Sequence, residues 1–151
     1  IDNEPFLIEY NVRMGDPECQ TILPKLKTDF LDVVDACVKQ KLSSINLEWS
    51  NEKSLCIVLC SKGYPEKYIN NVEIKNLKIP LKINEFIFHA GTKKNNFKIF
   101  SNGGRVLNFV ILSKKFKECR KRAINLIEEL KWSNGYYRKD IGYKVIDNEN
   151  N

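Results

Sequence analysis

Three polar side chains near the start of the chain have the types and spacing needed to handle a metal-bound phosphate. Residues 6–14 predict a β-strand, in which successive side chains point to opposite faces. Glu9, Asn11 and Arg13 then share one face at about 6.6 Å intervals. A carboxylate and an amide oxygen suit Mg²⁺ or Mn²⁺, and an adjacent Arg can hold a phosphate. The alternative is an ordinary polar strand face. The apolar residues, expected to face a core, are Ile8, Tyr10, Val12 and Met14.

Two further segments could bind an anion or serve only the fold. Gly103-Gly104-Arg105 is explained by a tight turn, but two glycines beside a guanidinium can also form a backbone nest for a phosphate. Asp16 and Pro17 predict a helix start, with Asp16 as the N-cap. Each segment can therefore be explained by the fold alone or by a role in binding. His89, the single histidine, is expected to be buried and hydrogen-bonded rather than catalytic.

The elements that must position these residues follow from turn signals and hydrophobic periodicity. Pro24 limits the first helix to about two turns. A second helix is predicted over 29–41, with one apolar stripe. Ser113 is expected to cap a long helix that reaches about Trp132. Strands are predicted at 55–61, 72–74, 86–90, 97–101, 105–113 and 143–146, with a hairpin turn at 102–104.

This pattern predicts an α+β fold, with a small, mostly antiparallel sheet covered by a long helix. We expect two parts, 1–42 with the polar strand and its helices, and 43–151 with the sheet. The chain opens almost directly into a strand without an initiator Met, which suggests a fragment of a longer protein.

The composition indicates a globular protein that binds neither nucleic acid nor membrane. The formal charge is +6, but only five of the 25 basic residues are Arg, and base readout favours Arg over Lys. No apolar run approaches the ~20 residues that span a bilayer. Cys56 and Cys60 lie about 13 Å apart along a predicted strand, too far for a disulfide. The five cysteines are therefore expected to be reduced core thiols, as in a cytoplasmic protein.

Four ordered motifs resemble those of the phosphoribosylamine–glycine ligases. Residues 9–20 read Glu-Tyr-Asn-Val-Arg-Met-Gly-Asp-Pro-Glu-Cys-Gln, which is similar to the family's Glu-Phe-Asn-Val-Arg-Phe-Gly-Asp-Pro-Glu-x-Gln. The other three are Phe-His-Ala-Gly-Thr at 88–92, Gly-Gly-Arg-Val-Leu-Asn at 103–108 and Tyr-Arg-Lys-Asp-Ile-Gly at 137–142. Met14 and Tyr10 replace Phe in the first motif. The resemblance covers residues 9–142.

The resemblance implies the C-terminal part of an ATP-grasp fold, carrying its last metal-bearing strand but not the upstream glycine-rich loop and adenine segment. It implies ATP-dependent ligation of glycine to 5-phosphoribosylamine through glycyl phosphate, in purine biosynthesis. Glu9 and Asn11 would then hold Mg²⁺ or Mn²⁺ against ATP, and Arg13 would be catalytic. Substrate contacts are implied for Gly15, Asp16, Pro17, Glu18, Gly103, Gly104 and Arg105. The missing N-terminal portion would be a partner.

Two other functions are compatible with parts of the sequence. Other ATP-grasp carboxylate–amine ligases share a Glu-x-Asn metal pair, but the Gly-Asp-Pro-Glu and Gly-Gly-Arg-Val-Leu-Asn motifs do not suit them. A non-catalytic basic binding module would need a continuous Lys face, and it would bind oligonucleotides in a salt-dependent way.

Overall fold

A computed structural model describes residues 4–8, 10 and 12–149 of the chain, so the predicted metal ligands Glu9 and Asn11 lie outside the described residues. The helices within this part are α1 (Glu18–Ile22), α2 (Phe30–Val38), α3 (Phe116–Leu130) and α4 (Tyr143–Glu149). The strands are β1 (Lys53–Ser61), β2 (Glu85–His89), β3 (Thr92–Asn95), β4 (Lys98–Ser101), β5 (Arg105–Ser113) and β6 (Gly135–Tyr136). The predicted α+β class is confirmed.

The main sheet is antiparallel, with strand order β2-β5-β1-β6, so β5 is an inner strand. Its apolar residues Leu107, Phe109 and Ile111 are fully buried against α3. Helix α3 contributes apolar residues at the predicted helical spacing, including Ala123 and Leu130. The core therefore lies between the sheet and α3, as the periodicity predicted.

The predicted hairpin at residues 102–104 is wrong. Strand β4 pairs with β3 in a separate two-stranded sheet, and β5 pairs with β1 and β2. The 102–104 segment thus carries the chain from one sheet to the other. Residues 72–74, predicted as a strand, make only an isolated bridge from Glu73 to Phe100.

Helix α3 begins without the predicted serine cap. Ser113 still belongs to β5, and its hydroxyl lies 2.5 Å from a carboxylate oxygen of Glu118. The first N–H of the helix, on Phe116, donates instead to both oxygens of Glu149, at 2.9 and 3.1 Å. Glu149 is the last residue of α4, so the end of the described chain closes the start of α3.

The segment predicted as a strand at 143–146 is helical. Gly142 has a φ of +81°, and Ile146 N–H donates to its carbonyl, which starts the α4 turn. A short apolar run fits a strand or a helix about equally well, and here the strand reading was wrong. The helical turn is also what brings Glu149 to α3.

The predicted strand at 6–14 is not found among the described residues of that segment. The apolar side chains expected to face a core are exposed, with Ile8 at 94%, Tyr10 at 82% and Val12 at 97%. A strand needs a neighbouring backbone to complete its hydrogen bonds, and none of the described residues pairs with this segment.

Helix α2 begins at Asp29 as predicted, since the Asp29 carboxylate accepts the Leu31 N–H at 2.8 Å. It ends at Val38, three residues earlier than predicted. Its apolar stripe is exposed rather than buried, with Phe30 at 47% and Val38 at 78%, and Ala36 is the one buried residue of the helix.

An ion pair between a partly exposed guanidinium and a buried carboxylate ties α3 to strand β2. The Arg122 Nε donates to Glu85 at 2.9 Å, and the Glu85 side chain is only 5% exposed. The other Glu85 oxygen accepts the Lys82 N–H at 2.8 Å. Arg122 also donates to the carbonyl of Ile83 at 3.1 Å. Glu85 is therefore a buried carboxylate that accepts hydrogen bonds from Arg122 and from the Lys82 N–H. Within the described part of the chain, no helix is both long and apolar enough to cross a bilayer.

Candidate functional site

An ion pair brings two of the sequence-predicted motifs together. Arg105, the first residue of β5, donates from one guanidinium nitrogen to the Asp16 backbone oxygen and from another to the Asp16 carboxylate, both at 2.9 Å. The two residues are 89 positions apart in sequence. Both side chains are 40% exposed, so the pair lies at the surface of the fold. Asp16 of the Gly-Asp-Pro-Glu motif is thus in direct contact with Arg105 of the Gly-Gly-Arg motif.

The second carboxylate oxygen of Asp16 is also occupied. It accepts the Gln20 side-chain N–H at 2.9 Å, one helical turn later. The predicted capping role of Asp16 is therefore wrong. Helix α1 begins at Glu18, and no side chain caps its first turn. Asp16 uses its oxygens on Arg105 and Gln20 instead.

Next to this pair lies a cleft of about 730 Å³. One wall comes from the segment around α1 and the other from strand β2. Phe86 and Phe88 supply an apolar surface, with ring planes within 4° of parallel and centroids 5.9 Å apart. The polar side chains of the lining are those of Asp16, Gln20 and His89. The cleft also contains Met14, Gly15, Cys19, Leu23 and Pro24.

His89 is exposed, not buried as the sequence suggested. It is the last residue of β2, and its Nδ1 lies 2.9 Å from the Thr92 hydroxyl at the start of β3. That contact orients the ring, which lines the cleft. Among the described residues, no hydrogen bond is found to the other ring nitrogen.

The motif glycines permit close packing between loops. A Cβ on Gly91 would lie 2.8 Å from the Gly103 Cα, and a Cβ on Gly104 would lie 2.2 Å from a ring carbon of Tyr64. The described glycines with positive φ are Gly63 and Gly142, so neither motif glycine has the left-handed backbone of an anion nest. Close packing between the loops explains why glycine occupies positions 103 and 104.

The remaining predicted residues lie around the cleft in different ways. Gly15 lines it beside Asp16. Pro17 and Glu18 line a separate depression with Ile141 and Phe116. Arg13 is exposed and donates to the carbonyl of its neighbour Met14 at 3.0 Å. The structure therefore groups Gly15, Asp16 and Arg105, and it leaves Pro17, Glu18 and Arg13 outside the group.

The metal prediction rests on the sequence. Within residues 4–8, 10 and 12–149, no cluster of three His, Cys, Asp or Glu side chains could hold an ion. The fit of Glu9 and Asn11 to Mg²⁺ or Mn²⁺ is thus not tested by the described geometry, and that assignment stays a prediction.

Burial on this side of the sheet also affects a thiol. It raises the pKa of Cys56 to about 12, and the nearby negative charge of Asp16 acts in the same direction. All five cysteines are free thiols. Cys60 and Cys119 are buried as expected, whereas Cys37 is exposed.

Sequence reasoning missed Gln20 and the phenylalanine wall. The i,i+4 spacing of Asp16 and Gln20 at the start of a helix could have indicated that the two side chains meet. The alternation of Phe86 and Phe88 along β2 places both rings on one face of the strand.

Known proteins share this sequence and fold. Residues 54–144 match the family model described as phosphoribosylglycinamide synthetase, C domain. A phosphoribosylamine–glycine ligase from Caldanaerobacter subterraneus is 44% identical over 91% of this chain and 32% of its own length. One from Agrobacterium fabrum is 42% identical over 96% of this chain and 34% of its own length.

A solved structure agrees. The crystal structure of phosphoribosylamine–glycine ligase from Thermotoga maritima superposes with a TM-score of 0.72 at 30% identity, over 93% of this chain and 34% of that one. The chain spans about a third of the length of the relatives it matches. Motifs, fold and relatives agree, and the chain belongs to the phosphoribosylglycinamide synthetase family, whose C domain it contains.

Proposed function

We propose that this chain is the substrate-side C-terminal part of a phosphoribosylamine–glycine ligase, which uses ATP to join glycine to 5-phosphoribosylamine. The observation that carries the proposal is the Arg105–Asp16 pair, which joins two family motifs at the edge of a cleft. The relatives are about three times as long. The ATP-binding portion would be supplied upstream, and the intact enzyme would act in the cytoplasm.

In the proposed reaction, the glycine carboxylate attacks the γ-phosphate of ATP and releases ADP. The amine of phosphoribosylamine then attacks the carbonyl carbon of glycyl phosphate, and phosphate leaves as glycinamide ribonucleotide forms. Arg13 would stabilise charge on the transferring phosphoryl group. Glu9 and Asn11 would hold Mg²⁺ or Mn²⁺, which would supply neutralising charge for the ATP phosphates.

Arg105 is the proposed contact for the phosphate of phosphoribosylamine. A guanidinium has five N–H donors, and the contacts with Asp16 leave others for a ligand. A carboxylate beside a guanidinium also fixes the plane of its fork. Asp16 would therefore orient Arg105. Further substrate contacts are proposed for Gly15, Pro17, Glu18, Gly103 and Gly104.

The test is a reconstitution. The chain alone should release no ADP above background when given ATP, Mg²⁺, glycine and phosphoribosylamine. The chain joined to the upstream portion of a ligase should turn over. Glu9→Gln and Asn11→Ala in that complete protein should each abolish most activity with little change in melting temperature. Full activity in both variants would refute the metal assignment. Turnover by the chain alone would refute the proposal that the ATP-binding portion is supplied upstream.

A further inference from the structure

We infer that the exposed apolar stripe of helix α2 is the docking surface for the upstream portion of the complete ligase, an inference that rests on the proposed function for the existence of that portion. The α2 stripe consists of Phe30, Leu31, Val34 and Val38, whose side chains are 47%, 73%, 41% and 78% exposed, respectively. At 3.6 residues per turn, these four positions fall within one arc of about 100° on the helix surface. The exposed apolar area is therefore continuous along α2.

Helix α2 is too short to be stable without packing. It has nine residues, and isolated helices of fewer than about 12–15 residues are marginal in water. Within the described residues, its main packing is on the short 3₁₀ turn at Leu42–Ser44 that follows it. Most of the stability of such a helix comes from burial of its apolar face. The α2 stripe therefore needs a cover that the described part of the chain does not supply.

The chemistry of the stripe fits an apolar protein surface. The two acidic residues of the helix, Asp32 and Asp35, lie outside the arc, and Asp35 is paired with Lys39 at 2.7 Å. The stripe itself carries no charge and no hydrogen-bonding side chain, so it offers nothing to a phosphate or to another polar ligand. Burial of its apolar area is what a partner would gain.

The position of α2 in the chain indicates which protein covers it. The match to the C domain begins at residue 54, so α2 lies ahead of that domain. Two other strongly exposed apolar side chains, Ile8 and Val12, also precede it. About two thirds of each relative's length lies outside the match, which is ample to cover the stripe. The occupant is therefore the upstream portion of the same ligase, and a second copy of the chain is the competing occupant.

Amide hydrogen exchange in the chain alone and in the complete ligase tests this. In the chain alone, the α2 amides should exchange at nearly the rate of an unfolded peptide, because the helix can open without breaking much tertiary packing. In the complete ligase, the same amides should exchange at least about 100-fold more slowly. Helix α3 is the internal control, since its apolar side already packs in the core and should be protected in both proteins.

Two variants place a charge inside the stripe. Val34→Asp and Val38→Asp should each remove most of the protection of α2 in the complete ligase. Neither should change the melting temperature of the chain alone appreciably, because both side chains are exposed there. The matched control is Asp32→Asn, which changes the charge of the same helix by one unit outside the stripe and should leave the protection unchanged.

The outcomes separate the docking surface from the proposed activity. If α2 exchanges as fast in a fully active ligase as in the chain alone, the inference is wrong and the proposed function stands. A protected α2 in a complete ligase without turnover would support the docking surface and refute the proposed function. Sedimentation velocity should find the chain alone monomeric, whereas a dimer that Val34→Asp dissociates would assign the stripe to a second copy and overturn the inference.

Discussion

The guanidinium of Arg105 contacts both the backbone oxygen and the carboxylate of Asp16, at 2.9 Å each, across 89 positions of sequence. This double contact fixes the loop before α1 onto the first residue of an inner strand. An Arg can do this because its donors form a planar fork, and a Lys has no second donor in the same fixed plane.

Removing the charge of Asp16 should impair substrate binding more than folding. We expect Asp16→Asn and Arg105→Ala, in the complete ligase, each to raise KM for phosphoribosylamine about tenfold, the effect of ~1.4 kcal/mol. The pair is 40% exposed, so its loss should lower the free energy of unfolding by no more than about 1 kcal/mol. Steady-state kinetics and urea unfolding measure both quantities.

The double variant supplies the control for that prediction. Residues that act as one unit give non-additive effects, so Asp16→Asn combined with Arg105→Ala should be little worse than either alone. Arg105→Lys should recover only part of the loss. Equal KM increases for all three substrates, with a lowered melting temperature, would show instead that the pair merely supports the domain.

Arg122 should be far more important for stability. Arg122→Ala would leave the Glu85 carboxylate, 5% exposed, without its countercharge. Because the Arg122 side chain is 24% exposed, the loss should not exceed the about 3–5 kcal/mol that breaking a fully buried pair costs. Chemical denaturation of the chain should show this loss, whereas Lys121→Ala, at an exposed neighbour on α3, should have almost no effect. A loss below 1 kcal/mol for Arg122→Ala, on the scale of a surface pair, would contradict the buried assignment.

Gly104 should not tolerate a methyl group. A Cβ there would lie 2.2 Å from a Tyr64 ring carbon, so Gly104→Ala should destabilise the chain by about 1–3 kcal/mol through overpacking. Gly15→Ala is the matched control, because the two nearest atoms to the added Cβ belong to the movable end of the Glu18 side chain. Thermal unfolding compares the two. Tyr64→Ala should relieve the clash, and an undisturbed melting temperature in Gly104→Ala would show that the loop has room.

Two thiols with raised pKa values, the half-buried Cys56 and the buried Cys119, should make stability fall in alkali. Burial raises the pKa from 9.0 to about 12 in Cys56 and to about 11 in Cys119. The folded state therefore keeps protons that the unfolded state releases. This contribution is complete below pH 9.0 and is lost as the pH rises through about 11 for Cys119 and about 12 for Cys56.

Urea unfolding at a series of alkaline pH values, with and without Cys119→Ala, tests the point. The variant should show a shallower fall in the free energy of unfolding above pH 9.0. A parallel decline in both proteins would rule out Cys119 as a source. Iodoacetamide should label the exposed Cys37 before Cys56 or Cys119.

Local periodicity correctly predicted the elements that pack together to form the core. Strands β1 and β5 and helix α3 carry continuous apolar patterns, and the structure places them close to the expected bounds. The errors fall where pairing depends on distant residues. The backbone partners of residues 6–14 and the separation of β4 from β5 are tertiary facts that a short pattern does not contain.

The site shows the same limit. The motifs containing Asp16 and Arg105 could be recognised in the sequence, but their contact could not. The sequence does not show which of its many charged surface residues pair with each other. The cap prediction for Asp16 was reasonable from its position before Pro17. It was wrong because the Arg105 fork and the Gln20 amide compete successfully for the same oxygens.

The bond between Glu149 and Phe116 has a consequence for synthesis of the protein. The partner of the first N–H of α3 lies 33 positions later in the chain. During translation, the helix that covers the sheet is therefore made well before the group that closes it. Until Glu149 has been synthesised, the first N–H of α3 lacks the partner that it has in the folded chain.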